Sequence, residues 1–172
     1  GGAGGRLLAR SPGCEDSSLT GAGPAGHDTP EPGHVEPMAS DDAQVYRACG
    51  TGLADYVAKN GFRSVVLGVS GGIDSALTAA IAADAVGGEN VVGISMPSSF
   101  SSQHSKDDAA DLCTRIGADY RVEPIAPTVA AFRPQLALEG VAEASLRARV
   151  RGVLLMAISN REGRLVIAPG NK

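Results

Sequence analysis

The chain has 172 residues, 43% hydrophobic and 20% charged, which suits one modest globular domain rather than two. A formal net charge of −4 and an isoelectric point near 5.3 argue against a protein that works by neutralising nucleic-acid phosphates. Cys14, Cys49 and Cys113 are far apart and form no Cys-x-x-Cys pair, and no apolar run nears the roughly 18–20 residues of a membrane-spanning helix. A disulfide scaffold, a zinc site and a membrane span are therefore not indicated, and a cytoplasmic protein without nucleic-acid or membrane partners is expected.

Residues 1–40 are rich in Gly, Pro, Ser and Asp without a sustained period, the composition of a disordered or linker segment. Its cluster Gly1-Gly-Ala-Gly-Gly5 has no strand before it and no regular helix after it, so it is read as linker. From Asp41 the pattern changes. Val45, Cys49, Leu53 and Val57 recur every fourth residue, with Tyr56 beside them, as on one face of an amphipathic helix that ends at Asn60-Gly61.

Ser64-Val-Val-Leu-Gly-Val69 reads as a strand. It runs into Ser70-Gly-Gly-Ile-Asp-Ser75 and then into an Ala-rich helix former, Ala76 to Ala85. After Gly87-Gly88 a second strand is predicted over Val91–Met96, then a Pro/Ser loop, a helix over Asp107–Ile116 closed by Gly117, and a third strand over Tyr120–Ile125. A helix from about Val141 to Asn160 and an apolar run, Leu165–Ala168, complete the alternation. Alternating strands and helices predict an α/β fold with a parallel sheet and helices on both faces, whose ligands bind beyond the carboxyl ends of the strands.

The loop at residues 70–75 carries the chemistry. A polyphosphate needs close backbone N–H groups, small side chains and a helix N-terminus. Gly71 and Gly72 let the backbone curl, Ser70 and Ser75 add hydroxyls, and the helix starting near Asp74 brings its unbonded amides. A carboxylate beside phosphates is repulsive unless a cation intervenes, so Asp74 reads either as a Mg²⁺ ligand or as a plain helix cap. The loop is neither a Walker A sequence nor a Rossmann Gly-x-Gly-x-x-Gly.

Ser-Gly-Gly-x-Asp-Ser after a hydrophobic strand resembles the pyrophosphate loop of the N-type ATP pyrophosphatases. Within them, Asp55–Ala76 is similar to the C-terminal synthetase domain of bacterial glutamine-dependent NAD synthetases, as are Met96–Ser105, Glu143–Asn160 and Gly170-Asn-Lys172. The resemblance covers roughly Val45 to Lys172. It implies a three-layer α/β/α, adenine nucleotide alpha hydrolase-like fold over residues 41–172, and ATP-dependent amidation of deamido-NAD to NAD through an acyl-adenylate. It further implies that Gly68, Val69, Ser70, Gly71, Gly72, Ile73, Asp74 and Ser75 hold ATP, with Met96 and Pro169 also at ATP positions. By the same resemblance Asp74 holds Mg²⁺, and Ser145, Arg149 and Arg151 stand at deamido-NAD positions. No residue is assigned proton transfer, His104 included.

The family pattern has Asn at the position of Ser145 and Thr at that of Pro169. It also continues past Lys172 with Ser-Glu and a segment completing the substrate site and dimer, and begins with a glutaminase domain that supplies ammonia. The expectation is thus a synthetase domain incomplete at the C-terminus, from a homo-oligomeric parent. A non-catalytic nucleotide-binding fragment, or another N-type pyrophosphatase such as GMP synthetase, is the alternative. A tRNA-thiolating enzyme wants catalytic cysteines and a basic RNA surface, neither of which is evident.

Overall fold

The computed structural model describes residues 7, 9–14, 17–18, 33–98, 101–136 and 140–170. The chain divides into two compact units, Gly1–Thr51 and Gly52–Lys172. Most of the stretch expected to be linker, including the Gly1–Gly5 cluster, lies outside the described residues, as do residues 99–100 of the Met96–Ser105 loop and residues 171–172. In the first unit, Arg10 and Val35 form a parallel bridge, with the Arg10 amide donating to the His34 carbonyl at 3.1 Å.

Helix α1 spans Asp41–Lys59; the Ala43 amide donates to Ser40 Oγ at 3.3 Å, and Asp41 and Asp42 complement the helix N-terminus. The face predicted from its four-residue repeat is only partly buried. Val57 is buried and Leu53 packs beside it, whereas Val45 and Cys49 are exposed. A repeat of four in a helix of 3.6 residues per turn drifts around the cylinder, so its two ends cannot both face one core.

The second unit is built on a four-stranded, all-parallel sheet of order β3-β2-β1-β4, with β1 at Val65–Gly68, β2 at Val91–Ser95, β3 at Asp119–Val122 and β4 at Leu165–Val166. Val65 pairs with Val91 on one side and Leu165 on the other, so β1 is central and is the strand where the winding reverses. A parallel strand covered on both faces reads as a continuous apolar run, and Val65, Val66 and Leu67 are all fully buried.

Helices α2 (Ile73–Val86) and α3 (Gln103–Ile116) cover one face, where Val65, Leu67 and Val91 meet Ala79, Ala82, Ala109 and Cys113. Helices α4 (Ala126–Leu136) and α5 (Gly140–Glu162) belong to the other, where Val66, Val92 and Ile94 meet Val129, Val150, Leu155 and Ile158. The result is the expected α/β/α layering. Small side chains on the α2 and α3 faces let the helices approach closely: a methyl on Gly93 would lie 2.6 Å from Cys113 Sγ.

Three elements differ from the sequence prediction. Helix α3 starts at Gln103 rather than Asp107, because Ser102 caps it by accepting the Ser105 amide. Strand β3 ends at Val122, although the Glu123 and Ile125 amides still donate to the Ser95 and Pro97 carbonyls at 2.8 and 3.1 Å, and Ile125 is fully buried beside Val129 of α4. Helix α4 itself went unassigned; it carries Pro127 in its first turn and Pro134 inside.

Candidate functional site

The turn from β1 into α2 organises the site. Gly71 adopts φ +79°, a left-handed conformation that glycine takes without penalty. A Cβ there would lie 2.4 Å from the Ser105 carbonyl oxygen, so the loop packs directly on the first turn of α3. Ser75 is buried; its hydroxyl donates to the Gly72 carbonyl at 2.9 Å and accepts the Ser70 amide at 3.2 Å. The Gly72 amide donates to Ser70 Oγ at 3.2 Å. Thus the two serines expected to contact a ligand also hold the loop in shape.

A cavity of about 390 Å³ opens beside this turn, beyond the carboxyl ends of β1 and β2. Gly68, Val69 and Ser70 line it from the loop, and Ser95, Met96 and Pro97 from the end of β2. Ser101, Ser102, Ser105 and Lys106 line it from the cap and first turn of α3, and Arg151 from α5. Among the described residues the wall therefore carries five serines and two cationic side chains, and no carboxylate. Such a lining favours an anion.

Arg151 donates from Nε to the Met96 carbonyl at 3.3 Å. Burial, and next the charge of neighbouring Arg147, push its guanidinium below the ordinary value; it stays charged at physiological pH all the same. Arg147 pairs with Glu143 at 3.4 Å, one turn away on the same helix.

Of the residues singled out in the sequence, Gly68, Val69, Ser70, Met96 and Arg151 meet in the cavity wall. Gly71 and Gly72 form the turn beside it, while Ile73 and Asp74 begin α2 with their side chains exposed. Asp74 is not the cap, a place taken by Gly72, which makes no side-chain cap bond. Arg149 is exposed and donates to both the hydroxyl and the carbonyl of Ser145, four residues back. Two residues of helix turn about 200°, so this pair lies on the face of α5 turned away from Arg151. Pro169 is exposed beyond β4. Sequence reasoning missed Ser95 and Lys106. The rule that sites gather beyond strand carboxyl ends points to Ser95, and Lys106 directly follows the serine-rich loop.

Comparison with known proteins gives one family-model match, NAD synthase, over residues 45–172. The glutamine-dependent NAD(+) synthetase of Rhodobacter capsulatus is 48% identical over 153 residues, covering 82% of this chain and 27% of that protein. The solved glutamine-dependent NAD+ synthetase of Acinetobacter baumannii in complex with ADP superposes with a TM-score of 0.81 at 40% identity, over 84% of this chain and 28% of that one. The NH3-dependent NAD synthetase of Campylobacter jejuni gives 0.72 at 32% identity, over 78% and 58% of the two chains. The chain thus spans about a quarter of the length of the glutamine-dependent relatives it matches.

Proposed function

The chain belongs to the NAD synthase family, and from that premise we propose that its cavity holds the polyphosphate of ATP while the nicotinic carboxylate of deamido-NAD is activated for amidation to NAD. The observation that carries this reading is the turn at Ser70–Ser75, held by its own serines beside a cavity that Lys106 and Arg151 line and to which no described carboxylate contributes. A solved relative bound to ADP supports a nucleotide there.

The chemistry follows from the electrophile. A carboxylate resists ammonia because it is negatively charged and has no good leaving group. Attack by a carboxylate oxygen on the α-phosphorus breaks the bond to the β-bridging oxygen and releases pyrophosphate. Ammonia then adds to the carbonyl carbon of the acyl-adenylate, AMP departs with the bonding pair, and the nitrogen loses its proton to give the amide. In this scheme the chain contributes binding and electrostatics rather than a proton carrier. The Ser70 hydroxyl faces phosphate oxygens from the cavity wall, the first-turn amides of α2 border the turn beside it, and Arg151 adds a fixed positive charge. Arg151 is also the deamido-NAD contact best placed to act on this cavity; Arg149 and Ser145 would serve a dinucleotide reaching around α5.

Among the described residues no three His, Cys, Asp or Glu side chains cluster as a metal site. A preformed cage does not fit, but magnesium is commonly held by one or two carboxylates together with substrate phosphates, and one exposed carboxylate beside the loop suits that donor set. Asp74 is the residue that would hold it, and the bound ion supplies charge neutralisation at the phosphate oxygens. We place the reaction in the cytoplasm, in a homo-oligomeric parent whose ammonia comes from a glutaminase domain. Isothermal titration tests the core of this reading: ATP binds with a magnesium-dependent component that Asp74→Ala weakens, and equal titrations of the two proteins remove Asp74 from the role.

A further inference from the structure

We propose that Lys106 is the contact for the leaving pyrophosphate, a role that rests on the ATP reading of the cavity. Lys106 is the fourth residue of α3, within the helix's first turn. A cation is disfavoured at a helix N-terminus, where the backbone already presents positive partial charge, unless an anion is shared there. No carboxylate pairs with it directly: the first turn of α3 contains none, Asp107 accepts from Gln103, and the Lys106 ammonium makes no ion pair or hydrogen bond among the described residues. It lines the cavity instead, partly sheltered from solvent.

Position then selects which part of a nucleotide it meets. Ser105, its neighbour in the chain, rests its backbone on Gly71, so Lys106 leaves α3 at the edge of the glycine turn. Ser70 and Lys106 line the cavity from these two abutting segments, and Arg151 lines it from α5. A polyphosphate seated on the turn has Lys106 beside the phosphates and Arg151 on a separate wall. As the α-phosphorus bond breaks, negative charge grows on the departing pyrophosphate, and a positioned ammonium favours that state over the intact nucleotide. Lysine serves here as a point charge with three donors, needing no bidentate geometry.

The test titrates inorganic pyrophosphate, ATP and adenosine into the wild-type chain, Lys106→Gln and Lys106→Arg, with thermal melting of each protein alongside. Lys106→Gln is expected to weaken pyrophosphate about tenfold, or about 1.4 kcal/mol, with adenosine and the melting temperature unchanged. Lys106→Arg is expected to recover most of the loss. Unchanged pyrophosphate affinity in Lys106→Gln, an equal loss for adenosine, or failure of arginine to rescue overturns the assignment. If ATP and pyrophosphate bind both wild type and Lys106→Gln equally, Lys106 falls while the ATP site stands. If neither binds the wild type, the ATP reading fails and takes this inference with it.

Discussion

Gly71→Ala and Gly72→Ala make a controlled pair, because the two glycines are adjacent in one loop yet differ in what a methyl group meets. At Gly71 the backbone sits at φ +79°, which costs about 1–2 kcal/mol for a residue with a Cβ. The added Cβ would lie 2.4 Å from the Ser105 carbonyl oxygen and 2.9 Å from its Cα, both backbone atoms that no rotamer change can move. Restoring ordinary contact means separating the loop from α3 by roughly 1 Å, and overpacking of this kind costs about 1–3 kcal/mol. At Gly72 the backbone is extended, with φ −88° and ψ 157°, and the nearest atom is the rotatable Ser70 hydroxyl at 3.3 Å. Gly71→Ala should therefore lose roughly 2–5 kcal/mol, a fall of about 5–15 °C in melting temperature for a chain of this size, and Gly72→Ala under about 1 kcal/mol. Thermal and denaturant unfolding measure both. Equal stability of the two variants would refute the docking of the loop on α3.

Gly93→Ala should destabilise because its Cβ would sit 2.6 Å from the buried Cys113 sulfur, and adding Cys113→Ala should recover about 1 kcal/mol; a double-mutant cycle in urea without coupling rejects that contact. Glu162 accepts hydrogen bonds from Arg161, Arg164 and Arg121, which hold its carboxyl down to about 2. Its folded value lies below the unfolded one, so its stabilisation is present above about pH 4.5 and is lost as pH falls toward 2. Melting temperature between pH 6 and 2.5 should accordingly fall less steeply in Glu162→Gln than in the wild type. Arg151→Gln should weaken ATP binding several-fold and Arg149→Gln should not, as only Arg151 lines the cavity; titration of both variants gives the comparison.

The strand, glycine turn and helix at 64–85 were legible because each local preference agrees with the others: an apolar β-branched run, two glycines, then an alanine-rich segment. The layering was legible from the alternation of elements. Helix α4 was not, because Pro127 and Pro134 mask a segment whose helicity is supported by tertiary burial of Val129. The exposed Val45 and Cys49 show the converse failure, a helical repeat whose first half stays exposed. At the site, sequence position identified the loop but could not tell that Ser75 is buried within it. Nor could it tell that Arg149 and Arg151, two residues apart, point to different sides of α5. Lys106 escaped notice because a single lysine at a helix start carries no motif, and only the cavity wall reveals its company.

The central claim is that the turn at residues 70–75 grips a nucleotide polyphosphate through its backbone. Amide-resolved nuclear magnetic resonance of the ¹⁵N-labelled chain, titrated with ATP and magnesium, addresses it residue by residue. The account predicts the largest shifts at the amides of Ser70 to Ser75, with smaller ones at Ser102 to Lys106 and Arg151, and inorganic pyrophosphate alone shifting the same turn amides while leaving those that meet only the adenosine unmoved. Shifts confined to other parts of the chain, with these amides unmoved, would contradict it.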